Sequence, residues 1–277
     1  MQMCPAQSVK TIHIAKTLLG MTRRVIVGTT LSLTLICAGF GCGEHNLLIP
    51  DPAIRYLVFG DSSISGHPSR NIPDILPELL GQPKETFANQ GQGGETASAG
   101  LERLRRILSL GVYPNAHTLL YWEGGADIIN LIREVDILLL FSPDAADYPD
   151  FSRLNEVLAH VQDTVETVIA EGRTAGLNVY VATYFSLREA VTPCDPLFLD
   201  IILPAQARNA NVYVLLLNGR IRLAAINQGA VVVEVASADD LLHNDEANFL
   251  NCNHLSTQGN EIVARIFADT LRQGEGD

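Results

Sequence analysis

Short apolar runs that stop at turn residues alternate along this chain with stretches in which apolar residues recur every three or four positions. The first pattern belongs to strands buried on both faces, the second to amphipathic helices. Five runs read as strands: Tyr56–Phe59, Thr86–Ala88, His117–Trp122, Leu177–Thr183 and Ala230–Val235. Between and after them the spacing predicts helices over Pro73–Leu80, Ala97–Leu110, from Ile128 onward, over Phe151–Ala175, Gln206–Asn227 and Thr257–Leu271. Pro73 suits the first turn of its helix, and Gly176 stops the long one. A glycine-rich turn is expected from Asn89 to Thr96, and Phe141–Pro149, Tyr184–Leu203 and Ala236–His254 read as loops. Strand alternating with helix gives a five-stranded parallel sheet covered on both faces, an α/β fold.

The first strand ends abruptly in Gly60-Asp61-Ser62. In open α/β sheets ligands bind at the carboxyl ends of the strands, so Ser62 is read as a nucleophile. The alternative is an ordinary turn in which Ser62 or Asp61 merely caps a helix.

Charge separates the first residues from the rest. Met1 to Cys42 holds four basic residues and no acidic one, with Arg23-Arg24 followed by an apolar run from Val25 to Phe40. That is the order of a secretory signal, and the run is short for a membrane-spanning helix. Met21 is a second candidate start. The run ends in Gly39-Phe40-Gly41-Cys42-Gly43, which resembles a bacterial lipoprotein processing site with Cys42 as the lipidated residue, although Gly39 stands where leucine is usual. Ordinary signal cleavage nearby is the rival. The expected organisation is a signal over 1–42, a linker over 43–53 and one domain over 54–277, in a protein that is periplasmic, anchored to the outer membrane, or otherwise secreted. Of 19 basic and 31 acidic residues, removing the leader leaves 15 against 31, a net charge of −16. This argues against nucleic acid and anionic lipid as ligands. Two cysteines then remain, Cys194 and Cys252, both in expected loops, and an exported chain favours a disulfide over two free thiols.

Four short blocks recur in order at the same edge of the expected sheet: Gly60-Asp61-Ser62-Ser63; Asn89, Gly91, Gly94 and Thr96; Gly124-Gly125-Ala126-Asp127; and Asn251-Cys252-Asn253-His254-Leu255. Together they resemble the SGNH, or GDSL, family of esterases and lipases over Ile54 to Leu271. The resemblance implies a three-layer α/β/α sandwich of flavodoxin-like type, hydrolysis of a small-molecule ester (a lipid or an acylated sugar), and no cofactor. It makes Ser62 the nucleophile and His254 its base. The backbone N–H groups of Ser62 and Gly94 become donors to the oxyanion, and Asp61 and Asn89 become structural residues beside the site. Gly94 also suits a turn needing positive φ, and His243 is the second choice of base.

The chain departs from that family twice. Ala126 stands where an asparagine would donate to the oxyanion, a loss worth about 100- to 1,000-fold in turnover; Asn130, one helical turn on, is a candidate substitute, and Asp127 is read as structural. Asn251 stands where an aspartate would orient His254. An asparagine carbonyl can accept the Nδ1 proton; a backbone carbonyl, Asp245 or Glu246 are alternatives. The expectation is a Ser62–His254 dyad assisted by Asn251, on a loop pinned by a Cys194–Cys252 bridge. Tyr121, Trp122 and Tyr184 are assigned to the core in preference to the pocket. No metal-ligand spacing and no phosphate-binding glycine loop is present. The rival reading is a non-catalytic protein of the same fold that binds a glycan or acyl chain; a structural envelope protein is a weaker third.

Overall fold

The computed structural model describes residues 49–65, 70–134, 152–190, 192–194 and 201–274. The expected signal segment, most of the linker, Cys42, Met21 and the Phe141–Pro149 loop lie outside them. Strand β1 (Tyr56–Gly60) leads directly into a one-turn helix α1 (Ser62–Ser65), then α2 (Ile72–Leu80), β2 (Phe87–Gly91), α3 (Ala97–Ser109), β3 (Thr118–Trp122) and α4 (Gly125–Glu134). The second half comprises α5 (Ser152–Thr174), β4 (Asn178–Ala182), the two-residue strands β5 (Thr192–Pro193) and β6 (Ile201–Ile202), α6 (Pro204–Gln228), β7 (Val231–Val233), α7 (Asp239–His243) and α8 (Thr257–Gly274).

The main sheet has the order β2-β1-β3-β4-β7, with every pairing parallel. Consecutive parallel strands need crossovers, so the helices fall on both faces: α2 packs on α8, while α3, α5 and α6 pack side by side. The two central strands are covered on both faces, and all five residues of β1 and of β3 are buried. The order reverses between β1 and β3, which makes the crevice at their carboxyl ends the natural binding site.

Four expectations are corrected. Asn89-Gln90-Gly91 belongs to β2 rather than to the glycine turn, because Val58 pairs with Asn89 and Gly60 with Gly91. Gly91 permits this extension: a Cβ there would lie 2.1 Å from the Ser65 backbone nitrogen, so only glycine lets α1 rest on β2. The edge strand β7 stops at Val233, short of the expected Val235, and the chain turns into a 3-10 helix at Val235–Ala238. The Ala236–His254 loop holds α7 and a further 3-10 turn at Glu246–Asn248, both too short to show a periodicity. The Tyr184–Leu203 segment contains the antiparallel β5–β6 pair.

Cys194 and Cys252 form a disulfide, and the Cys252 N–H donates to the Pro193 carbonyl at 2.8 Å. The bridge spans 58 positions and ties the loop before α8 to the segment after β4. Closing a loop of this length restricts the unfolded chain, and its loss typically costs about 2–4 kcal/mol. Cys194→Ser/Cys252→Ser is expected to lower the urea midpoint accordingly, and thiol titration of unreduced, unfolded wild-type protein is expected to find no thiol from either position. Two reactive thiols from these positions would contradict the bridge.

Candidate active site

Asp61 decides where Ser62 stands. Its backbone oxygen accepts from the Ile64 and Ser65 N–H groups at 3.1 and 3.0 Å, and its Oδ1 accepts from Ser63 N–H at 2.8 Å. Asp61 is therefore the N-cap of α1 and Ser62 its first residue, whose N–H no intrahelical bond uses. The Tyr184 hydroxyl donates to Asp61 Oδ2 at 2.7 Å. Burial pushes the Asp61 carboxyl up, opposed by its hydrogen bonds to Ser63 and Tyr184.

His254 enters from the loop before α8. Three nitrogens converge on Asn251 Oδ1: the backbone N–H of His254 at 2.8 Å, that of Asn253 at 3.1 Å, and the His254 ring Nδ1 at 3.1 Å. Two of these are backbone donors, so the atom facing the ring must be the amide oxygen, an acceptor. The hydrogen-bond network thereby assigns the proton to Nδ1 and leaves Nε2 with its lone pair. The alternatives are engaged elsewhere: Asp245 Oδ1 accepts from Ala247 N–H, and Glu246 pairs with Arg188 at 3.0 Å. His243 Nε2 lies 2.9 Å from the Ser186 carbonyl oxygen.

Ser62 and His254 line one cavity of about 470 Å³, together with Gly94, Ala126 and Asn130. Both also border a void of about 10 Å³ between Ser63, Trp122 and Leu255, a space on the scale of one water molecule. Gly94 has φ +75°, a conformation glycine adopts at no steric cost. Ala126 is buried on the first turn of α4, with Asn130 one turn further on the same side. Asp127 is not among the cavity-lining residues; its Oδ2 accepts from Ala97 N–H at 2.9 Å and so closes the start of α3. Asn89 lies on β2 and accepts from Gly91 N–H at 2.9 Å. Tyr121 and Trp122 are buried core residues. Tyr184, assigned to the core from the sequence, is buried but also lines the cavity, because its hydroxyl must reach Asp61.

The segment behind Tyr184 is held by two asparagines seven positions apart on α6. Asn218 accepts from Tyr184 N–H and donates to its carbonyl, both at 2.7 Å; Asn211 does the same for Leu187 at 2.7 and 2.9 Å. Two asparagines a heptad apart, flanking the apolar run from Val212 to Leu217, were the available sequence signal.

A second group escaped the sequence reading. Glu123 follows β3 directly and is almost wholly buried. Tyr121 donates to its Oε2 at 3.2 Å, and Arg103 Nη2 lies 3.8 Å from its Oε1. The Arg103 guanidinium itself is bound to Glu95 and stacks 3.9 Å over the Phe59 ring. Burial first, then the neighbouring Glu95, pushes the Glu123 carboxyl up to about 11. One arginine thus faces two carboxyl groups, and the better buried of them is kept as the neutral acid. A glutamate closing an apolar run before Gly124-Gly125 was the signal for it.

No protein-family model matches the chain, and no curated protein matches it in sequence. Solved structures do match in fold. They include the acetylxylan esterase Axe2 of Geobacillus stearothermophilus, with TM-score 0.52, 16% identity, and 79% of this chain and 94% of that one covered. A lipolytic protein of the G-D-S-L family from Veillonella parvula has TM-score 0.55 and 14% identity over 79% and 99% of the two chains. The acetyl xylan esterase AlAXEase has TM-score 0.52 and 16% identity over 80% and 99%. At such identities the likeness shows the fold: this chain has that of G-D-S-L and SGNH esterases.

The neutral Glu123 carries a pH signature. Its folded pKa, about 11, lies above the ordinary 4.5. Above pH 4.5 the unfolded chain releases this proton while the folded chain keeps it, so the group's contribution to stability falls as pH rises toward 11. Glu123→Gln removes that dependence. Urea unfolding at pH 5, 6.5 and 8 is expected to show the variant gaining on wild type with rising pH, by at most about 1.4 kcal/mol per unit. A constant difference would mean that Glu123 is ionised in the fold.

Proposed function

We propose that the protein is a serine hydrolase of carboxylic esters in which Ser62 is the nucleophile and His254 the general base, with Asn251 positioning the base. The observation that carries this reading is the locked amide of Asn251, which favours the His254 tautomer a general base needs; Ser62 and His254 both line the one cavity. Nε2 takes the Ser62 proton as Oγ attacks the ester carbon, then returns it to the departing alcohol; water repeats the sequence on the acyl-enzyme. The oxyanion faces the N–H groups of Ser62 and Gly94, with Asn130 as the side-chain donor in place of the missing one at Ala126. The esterases named above support ester chemistry and leave the acyl and alcohol parts open. Their acetylated-xylan substrates are not transferred to this chain. The same reading has the leader export the protein and Cys42 serve as its lipid attachment point.

Asn251 preserves the tautomer but brings no charge to the imidazolium, so the enzyme is slower than a full triad. Asparagine in place of aspartate in a serine protease lowers turnover about 10⁴-fold because the histidine takes the wrong tautomer. Here that loss does not arise, and only the missing electrostatic stabilisation remains. In assays with p-nitrophenyl esters, Ser62→Ala and His254→Ala are each expected to remove at least about 10³-fold of kcat/KM, and the double variant little more. Asn251→Asp is expected to raise kcat and to move the acidic limb of the pH profile upward, since a carboxylate beside the ring favours its protonated form. Asn251→Ala is expected to lose about 100-fold. Equal activity in wild type and Ser62→Ala would overturn the assignment and turn attention to the rival reading, ligand binding without turnover, which Ala126 favours.

A further inference from the structure

The cavity lined by Ser62 and His254 is far larger than ester cleavage at Ser62 requires. From Gly125 it follows α4 past Ile128 and Ile129 to Ile132, seven residues on, and it follows α6 from Ala210 through Val214 to Leu217, also seven residues on. At 1.5 Å per residue each wall extends about 10 Å. Phe185 and Leu187 add a third side, on the segment clamped by Asn211 and Asn218. The walls at Ile128, Ile132, Ala210, Leu217, Phe185 and Leu187 are buried hydrocarbon.

We infer that this channel holds a linear acyl chain of medium length, so that the ester cleaved is a fatty-acyl ester rather than an acetyl ester. The inference rests on the serine-hydrolase reading for turnover, though not for binding. The lining also carries Asn130, Arg133 and Asn253, but hydrocarbon dominates it, so a sugar placed along α4 and α6 would give up water around most of its hydroxyls without a partner in return. An acetyl group would leave most of the volume unfilled: an apolar cavity of ~150 Å³ already takes benzene, and this one has about 470 Å³. A hydrocarbon chain fills the space and needs no polar partner. In the reaction the bond from Ser62 Oγ to the acyl carbon forms as the ester C–O bond breaks, the alcohol leaves with the proton from His254, and water releases the fatty acid.

Two measurements on the purified protein test this. The first is kcat/KM for p-nitrophenyl esters from acetate to dodecanoate. It is expected to rise by about fourfold for each added methylene over the early members. Ala210→Phe and Val214→Trp, which fill the channel from α6, are each expected to lower the decanoate-to-acetate ratio at least about 100-fold. The second is calorimetric binding of decanoate to Ser62→Ala, expected to weaken at least about tenfold when either channel substitution is added. Acetate as the best substrate, with a ratio indifferent to both substitutions, would overturn the acyl channel and leave the hydrolase reading standing. Decanoate binding without hydrolysis of any ester would uphold the channel and end the hydrolase reading. Absence of both hydrolysis and binding would overturn the channel as well.

Discussion

The edge of the sheet is held together by one buried carboxyl group. Asp61 receives the Ser63 N–H on one oxygen and the Tyr184 hydroxyl on the other, while its own N–H donates to the Trp122 carbonyl at 3.2 Å. Through it β1, β3, α1 and the segment after β4 meet at a single residue. Taking a carboxylate out of water is unfavourable unless its acceptor sites are filled. The two carboxyl bonds form only when α1 and the Tyr184 segment are both in place, and the backbone bond to Trp122 ties the same residue to β3, so the strand ends, the first turn of α1 and the Tyr184 segment are fixed as a set. The position of Ser62 follows from that set: it is the next residue along the chain.

The same edge crowds acids. Asp61, Glu95, Glu123 and Asp127 all lie buried or part-buried near the ends of β1 and β3, and the pKa values of Asp61, Glu123 and Asp127 are raised mainly by burial. Arg103 balances Glu95, and Glu123 avoids a second buried charge by keeping its proton. A neutral residue at position 251 suits this surrounding: it fixes the imidazole by hydrogen bonding and adds no further negative charge. The disulfide next to it, at Cys252, restrains the loop that an ion pair would otherwise have helped to hold.

Much of this was legible in the sequence because it is local. Strand runs, helical periodicity and the four blocks each depend on a few consecutive residues, and the parallel sheet follows from the alternation of strand and helix. Ser62, His254 and Asn251 could be named as candidates for the same reason. What was not legible depends on distance in the chain. Tyr184 reaches Asp61 across 123 positions, and Arg188 engages Glu246 across 58. The protonation of Glu123 arises from burial and from Glu95, neither visible in a glutamate that closes an apolar run. The extension of β2 through Gly91 was missed because Asn-Gln-Gly looks like a turn until β1 is laid beside it.

The two departures from the family pattern and the apolar channel bear on each other. Rate acceleration needs interactions that are stronger in the transition state, and binding far from the reacting atoms contributes when it fixes the reacting group in place. On the proposed reading, Ala126 removes a direct source of oxyanion stabilisation, and Asn251 removes charge from the base. The hydrocarbon wall, one side of which is the segment that Asn211 and Asn218 tie to α6, offers an indirect source in exchange on that reading. A chain seated along α4 and α6 cannot swing its ester carbon away from Ser62. An acetyl group, which touches little of that wall, gains no such restraint. On the proposed reading, selectivity for acyl length and capacity for turnover share one origin, the burial of methylenes between two helices.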